Sequence, residues 1–445
     1  MGRIRKAKLP SDAVELEIGG LSHDGRGVGR HGDKVVFVYG ALEGERVRAR
    51  WTGLKRSYDE ADAEEILQPS KHRVIPRCPH FGTCGGCALQ HLDPAQQIHA
   101  KQLTLQQNFS RIGGLEPESW FEPLTGPVWN YRRKARLSVR YVFKKERVLV
   151  GFRERAGRYV ADISECHVLD RRISEILPEI EGVIRSLETY QRIPQVEVAC
   201  GDSVASLVFR HLDPLPEPDR EALRRFSIEN GVAVFLQPAG PESIEALEPG
   251  KIDLSYTLPE DNVTIRFEPS DFIQVNGGMN QLMVRRALEL LDPQPGERVL
   301  DLFCGLGNFT LPLARQAAEV FGVEGDAGLV ARARENARQN GIVNTEFHCA
   351  DLATDASGAP WLSHAFDKVL IDPPRSGAQE VLPNIAASGA SRLLYVSCHP
   401  ASLARDAGLL VRDHGFRLTG AGVMDMFPHT SHVESMALFE RKVKR

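Results

Sequence analysis

Apolar residues recur along this chain with different periods, and each period marks a different kind of structural unit. Near the start, Val14-Glu-Leu-Glu-Ile18 alternates apolar with polar, and Lys34-Val-Val-Phe-Val38 is a second short apolar run. Alternation of this kind is the period of a strand with one buried face. Gly19-Gly20, Asp24-Gly25 and Gly27-Val-Gly29 read as tight turns between strands. Residues 8–68 are therefore expected to form a small OB-like β-barrel of the kind that binds oligonucleotides. A helical period follows. Asp93 and Pro94 supply an N-cap and a first helical position, Ile98, Leu105 and Phe109 fall near one face, and Gly113-Gly114 ends the pattern. This predicts a helix over 93–112, which could pack on the unit that follows it or on the last one. Residues 132–141 return to strand alternation, and residues 171–260 mix helical and strand patterns without a chemical motif. From about residue 262 the pattern becomes β-α-β, with buried runs at 298–303, 319–324, 366–372 and 393–398. The chain thus reads as α/β overall: a barrel over 8–68, a central α+β domain over 69–261, and a doubly wound, Rossmann-like domain over 262–445.

Composition excludes several classes without choosing one. With 445 residues, 42% hydrophobic and 26% charged, the chain fits an ordinary soluble protein of two to four domains. No apolar run approaches the ~20 residues of a membrane span. Met1 to Leu9 is basic with no apolar stretch behind it, unlike a secretory leader, so a cytoplasmic home is expected. The net charge of −4 says nothing in favour of nucleic acid, but the distribution does. Tyr131 to Arg158 holds eleven Lys or Arg against two acids, and Arg3, Arg5, Lys6 and Lys8 crowd the start. In the 132–141 strand one face carries Arg132, Lys134, Arg136, Ser138 and Arg140, while Arg133, Ala135, Leu137, Val139 and Tyr141 lie on the other. A solvated face normally mixes charge signs, so a row of one sign points to an RNA phosphate track on Arg132, Lys134 and Arg136.

Three of the eight cysteines fall in Cys78-Pro-His-Phe-Gly-Thr-Cys84-Gly-Gly-Cys87, the pattern C-x5-C-G-G-C. In a reducing compartment, clustered thiols point to metal or catalysis rather than to disulfides. Two glycines let the backbone turn tightly and aim N–H groups at sulfur. Cys166, in a polar turn-like stretch, is favoured as a fourth ligand over Cys200, which ends an apolar strand pattern. An iron–sulfur cluster is the expectation, with zinc on His80 or His91 as the alternative.

The last unit carries the chemistry. Cys304-Gly-Leu-Gly-Asn308 is a glycine turn after a strand, and Glu324 ends the next strand, where a carboxylate can accept both hydroxyls of a ribose. A dinucleotide site would want a third glycine where Thr310 stands. Asp301 inside the first strand instead suits a cationic ligand such as S-adenosylmethionine. Asp351 follows near the expected adenine. Asp372-Pro-Pro-Arg375 and Ser397-Cys398 end what should be neighbouring strands, so Asp372 and Cys398 should face one crevice. Amine methyltransferases commonly place an aromatic after Pro-Pro; here Arg375 stands instead, with a cysteine across the cleft. Carbon methylation of a pyrimidine needs such a thiol, because C5 of uracil is a poor nucleophile until sulfur adds at C6. Cys304 and Cys349 read as small buried side chains.

The cysteine pattern, Tyr131-Arg-Arg-Lys-Ala-Arg136, Asp271-Phe-Ile-Gln-Val-Asn276, Asp301–Thr310, Ile371-Asp-Pro-Pro-Arg375 and Ser397-Cys398 together resemble the RNA uracil-C5 methyltransferases along nearly the whole chain. The glycine-rich barrel is similar to a TRAM domain, and a TRAM domain with the cysteine cluster points to the branch that modifies 23S ribosomal RNA. The resemblance implies a class I methyltransferase domain at the C-terminus and a [4Fe-4S] cluster on Cys78, Cys84, Cys87 and Cys166. It implies S-adenosyl-L-methionine contacts from Gln274, Phe303, Asn308, Glu324, Asp351 and Asp372. It further implies Cys398 as nucleophile, Glu434 as the base that removes the C5 proton and 5-methyluridine as product; apart from the resemblance, a monomer is expected. Competing expectations are the same chemistry on tRNA or another ribosomal uridine, and an RNA-binding assembly factor that does no chemistry. A radical enzyme fits poorly, since its usual C-x3-C-x2-C leaves one iron open and this chain offers a fourth cysteine.

Overall fold

The structure is a computed structural model that describes residues 9–250, 252–354 and 358–441. Arg3, Arg5, Lys6 and Lys8 lie outside the described residues. Five strands close the N-terminal barrel in the order β1-β2-β3-β5-β4: β1 Val14–Leu21, β2 Gly27–His31, β3 Lys34–Tyr39, β4 Arg46–Leu54 and β5 Tyr58–Gln68. Their inward residues, among them Leu16, Ile18, Val36, Val38, Val47 and Trp51, form its core. Gly19 and Gly20 are not a turn, as the sequence suggested, but lie inside β1, where the pairing with β2 shifts register between Ile18 and Leu21. Small closed barrels coil their strands sharply, and glycine tolerates the approach. A Cβ at Gly27 would stand 2.8 Å from the Ile18 side chain.

Helix α1, Pro94–Asn108, starts on an Asp93 cap that accepts a hydrogen bond from the Ala95 amide, and it ends through a wider turn at Phe109–Gly113. It precedes the central unit in sequence but buries Leu105 and Phe109 against the last one, with Tyr395, Leu403 and Phe439. Strands β6 Lys134–Val142, β7 Arg147–Gly151, β8 Gln195–Cys200, β9 Ala205–Arg210, β10 Ala233–Gln237 and β11 Glu245–Ala246 form the central sheet, in the order β11-β10-β9-β8-β6-β7. Helices α2 Arg171–Ser174, α3 Leu177–Ser186 and α4 Glu217–Asn230 accompany it, and α3 and α4 cover one face with Ile180, Ile184, Leu223 and Phe226. The other face contributes Ala199, Val208 and Phe235 to the core of the last unit. Strands β12 Ser255–Leu258 and β13 Val263–Arg266 form a hairpin whose turn holds Asn262, so a boundary at residue 262 would cut one supersecondary unit. The hairpin packs with the catalytic core through Tyr256, Leu258, Val263 and Ile265.

The last sheet has the strand order β16-β15-β14-β17-β18-β20-β19. Its strands are β14 Arg298–Leu302, β15 Glu319–Glu324, β16 Thr345–Cys349, β17 Lys368–Ile371, β18 Arg392–Ser397, β19 Arg417–Met424 and β20 Glu434–Glu440. The first five run parallel, and β20 enters antiparallel between β18 and β19. Helices α5 Gly277–Leu291, α6 Thr310–Ala314, α7 Ala327–Gln339, α8 Leu382–Ala387 and α9 Pro400–Arg412 accompany these strands. Strand order reverses between β14 and β17, so a crevice opens at the carboxyl ends of those two strands. Among the described residues no helix is long and apolar enough to cross a membrane.

Candidate active site

The carboxyl edge of four adjacent strands carries most of the expected cofactor residues: Phe303 after β14, Glu324 closing β15, Asp351 after β16 and Asp372 after β17. Phe303, Gly305 and Gly307 all take positive φ, 63°, 54° and 91°, which bends the chain sharply away from β14. Glu324 holds this edge in shape. One of its oxygens accepts the Gly305 amide at 3.1 Å, the other accepts the amides of Gly325 at 2.7 Å and Asp326 at 3.1 Å. Asn308 exchanges both side-chain hydrogen bonds with Asn280 at 2.9 Å, and its oxygen also accepts the Tyr256 hydroxyl. Its amide is thus committed to the scaffold. Asp301 departs from expectation. It is fully buried beneath the turn, accepts the Thr310 hydroxyl at 2.5 Å, and burial pushes its carboxyl up to about 8. It shapes the floor rather than presenting open charge.

Register builds the reactive centre. β18 and β20 pair Ser397 with Ser435, which puts Cys398, one residue past β18, opposite Glu434, the first residue of β20. Asp372, directly after β17 on the other side of β18, completes the group. Burial pushes the Cys398 thiol up to about 11, and the Glu434 and Asp372 charges push the same way while Arg375 opposes them. Burial, reinforced by Asp372, pushes Glu434 up to about 8 against the pull of Lys101 and Arg375. Asp372 itself is pushed to about 7 by burial. The cleft therefore offers a neutral thiol beside two carboxyls that exchange protons near neutral pH, the range in which general acid–base groups work best. Glu434 is itself buried at the start of β20, only 7% exposed.

Cys78, Cys84, Cys87 and Cys166 line a single cavity together with Phe152 and Arg132. The Gly86 amide donates to the Cys84 sulfur at 3.4 Å. Burial pushes all four thiols up, Cys87 to about 12 and Cys166 to about 11, and each of those two also feels charge on Cys78 and Cys84. Cys200 is buried in the core of the central unit at the end of β8 and takes no part in this cavity. His80 borders the cavity but its Nε2 accepts the Ser164 amide, and His91 lies away from it against Phe81. Among the described residues no three His, Cys, Asp or Glu side chains converge closely enough for a single metal ion.

Two family models match this chain. One, described as TRAM domain, matches residues 11–63 and covers the barrel. The other, described as tRNA (Uracil-5-)-methyltransferase, matches residues 93–442 and spans the reactive centre. The chain belongs to the tRNA (uracil-5-)-methyltransferase family. It is 54% identical over 446 residues, covering 100% of both chains, to a protein of Alkalilimnicola ehrlichii named 23S rRNA (uracil(1939)-C(5))-methyltransferase RlmD. A protein of that name from Xanthomonas euvesicatoria is 53% identical across 99% of this chain and 100% of its own. Another from Stenotrophomonas maltophilia is 52% identical across 98% and 99%. Among solved structures, Pyrococcus abyssi tRNA (uracil-54, C5)-methyltransferase in complex with S-adenosyl-L-homocysteine is similar with a TM-score of 0.73. That match covers 96% of this chain and 100% of the other at 24% identity, and it establishes the shared fold.

In this uracil-5-methyltransferase the cationic strand is not an open row. Lys134 is turned inward, its Nζ donating to the carbonyls of Pro269 and Asp271, and burial pushes it down to about 8. It braces the segment that leads to the half-buried Gln274, as does Arg133, whose amide donates to the Val275 carbonyl at 2.8 Å. Arg132 points its guanidinium over the Phe152 ring at 5.6 Å and borders the cysteine cavity. Arg136 is exposed and pairs with Glu197 of β8 at 3.1 Å. A two-residue period tells which side chains share a face; here a distant loop and a neighbouring strand cover part of that face. Sequence reading also missed the cradle behind Glu434. Buried Lys101 donates to Asp425 at 2.6 Å and to the Phe427 carbonyl at 2.9 Å, linking α1 to the β19–β20 loop. A lysine and a glutamine on an otherwise apolar helix face, Lys101 and Gln97, were the signal available.

Proposed function

We propose that this protein methylates C5 of a uridine in 23S ribosomal RNA, giving 5-methyluridine through a covalent adduct on Cys398. The observation that carries the reading is the β18–β20 register, which sets a thiol and a proton-accepting carboxyl across one cleft. The full-length relatives named for 23S rRNA support the choice of substrate. When bound, S-adenosylmethionine supplies an electrophilic methyl group. Gln274, Phe303, Glu324, Asp351 and Asp372 are the residues to hold it, with Asn308 acting through the shape of the turn it anchors. The target base must leave its stack to reach the cleft. Cys398 gives up its proton to a carboxyl of the cleft as its sulfur bonds to C6, which moves the C5=C6 electron pair onto C5. C5 then bonds the methyl carbon as the bond from that carbon to the donor sulfur breaks. Glu434 takes the C5 proton, the C5=C6 bond re-forms, and the Cys398 sulfur leaves.

Four thiols opening on one cavity, Cys166 buried and the other three half-buried, fit a [4Fe-4S] cluster, with a backbone amide already directed at one sulfur. Held by Cys78, Cys84, Cys87 and Cys166, it would supply a cross-link between two distant segments of chain. Arg136 and Arg132, with the TRAM barrel, form the RNA-facing side in this reading; Lys134 supports them from beneath. The protein works as a monomer in the cytoplasm. Mapping 5-methyluridine in RNA from a strain lacking the gene tests the substrate: one 23S position should lose its methyl group and regain it on complementation. Loss of the mark in tRNA instead would overturn the ribosomal assignment.

A further inference from the structure

His429 is held from several sides, by Gln97, by the Ala88 and Leu89 amides and by the Trp129 ring. It lies between β19 and β20, five positions before Glu434, with a left-handed φ of 66° that a non-glycine residue adopts only when its surroundings impose it. Its carbonyl accepts the amides of both Ala88 and Leu89 at 2.9 Å, directly after Cys87. Gln97 of α1 joins the two segments. Its Oε1 accepts the His429 amide at 2.8 Å, while its Nε2 donates to the carbonyls of Leu89 at 3.0 Å and Leu92 at 2.8 Å and lies 3.2 Å from His429 Nδ1. The His429 ring stacks on Trp129 with centroids 3.9 Å apart. The neighbouring Tyr131 hydroxyl donates to the Pro428 carbonyl at 3.0 Å, and the Asn130 amide donates to the carbonyl of His167, one residue past Cys166. The segment after Cys87 therefore ends directly against this loop, the segment after Cys166 reaches it through Trp129–Tyr131, and the loop leads into Glu434.

We infer that Gln97 and His429 are positioning residues that couple closure of the cysteine site to the placement of Glu434. The inference rests on reading Glu434 as the base and the four cysteines as cluster ligands. A closed cluster fixes Cys87 relative to Cys166; Ala88–Leu89 and Trp129–Tyr131 then grip Pro428 and His429 from two directions, and the start of β20 is held in register with Cys398. A loosened cluster releases the grip, so proton removal suffers more than sulfur attack, because Cys398 directly follows β18, which is paired on both sides by β17 and β20.

The test uses the purified full-length holoenzyme, the same protein after oxidative removal and chelation of its iron, Gln97→Ala, and His429→Gly. Glycine suits the left-handed backbone and keeps the main-chain hydrogen bonds, so His429→Gly stands in should Gln97→Ala fold poorly. Hydrogen exchange should speed up at least about tenfold in peptides covering 425–434 in all three altered forms, with β14 and β17 unchanged. In single turnover on an RNA fragment, adduct formation should stay within about twofold of wild type while release of methylated RNA slows at least about tenfold. Iron removal should add little to Gln97→Ala, since both act through one contact. Unchanged exchange at 425–434 would overturn the coupling, and so would an equal slowing of adduct formation and release. Glu434→Gln separates the two claims: if it releases product at the wild-type rate, the base assignment fails whatever the exchange shows.

Discussion

Replacing Lys101 with Met should destabilise the catalytic unit by about 3–5 kcal/mol, the cost of leaving one member of a buried ion pair without its partner. Lys101 and Asp425 lie 2.6 Å apart with side chains only 2% and 4% exposed, so water cannot take over when one is removed. Met matches the aliphatic stem, which keeps packing loss small and isolates the charge. The Phe427 carbonyl keeps the Thr430 amide and hydroxyl as donors, so it adds little to that cost. Arg417 and Glu118 provide an internal control at nearly the same distance, 2.7 Å, but with side chains 63% and 53% exposed. Arg417→Met should cost about 0–1 kcal/mol, because solvent already screens that pair. Urea titration, with hydrogen exchange on β19 and β20 peptides to localise the effect, measures both. Lys101→Met combined with Asp425→Leu should recover much of the loss, since an apolar pair of similar volume avoids the stranded charge. A cost below about 1 kcal/mol for Lys101→Met, or none recovered in the double variant, would refute the argument that burial sets the value of this pair.

Three further outcomes follow from the site. Product release should rise with pH through about 8, because Glu434 must be ionised to take a proton; since its folded value lies above the ordinary carboxyl range, the protein binds extra protons when folded, and stability should fall as pH climbs from about 4.5 through 8, a fall that Glu434→Gln reduces and paired pH titrations of activity and unfolding would detect. Cys84→Ser should bleach the broad visible absorbance of anaerobically purified protein and lower its stability; stoichiometric zinc without iron or sulfide in the wild type would contradict the cluster. Arg136→Ala should flatten the salt dependence of RNA binding by about 0.7 log–log units per lost single-strand phosphate contact and leave S-adenosylmethionine affinity alone, whereas Lys134→Ala should weaken S-adenosylmethionine by loosening the 269–271 turn; the reverse pattern in filter binding and calorimetry would place Lys134 on the RNA side.

What could be read from the chain was local. The glycine turn after β14, the acid ending β15 and the Asp372 and Cys398 positions after adjacent strands follow from short motifs and the strand order of a doubly wound sheet. Strand β5 is not legible, because Tyr58-Asp-Glu-Ala-Asp-Ala-Glu-Glu fills a barrel strand with residues that favour helices or turns, and its pairing to β3 on one side and β4 on the other makes it a strand. The Lys134 side chain faces the way its period predicts, but its partners lie 135 and 137 residues away, and no local pattern shows what covers a face. Glu434 is a candidate from family resemblance alone; its place opposite Cys398 is visible only once β20 is seen to enter antiparallel beside β18. Gln97 and His429, 332 residues apart in sequence, meet only in the fold.

The central claim, sulfur attack by Cys398 and proton removal by Glu434, is tested most directly by following protein–RNA adducts on denaturing gels with S-adenosylmethionine and a 23S fragment. Glu434→Gln should accumulate an adduct that carries the transferred methyl group, Cys398→Ala should form neither adduct nor product while still binding S-adenosylmethionine, and RNA containing 5-fluorouracil should trap the wild-type enzyme, because fluorine cannot leave as a cation. Methylation by Cys398→Ala, or turnover by Glu434→Gln at the wild-type rate, would contradict the account.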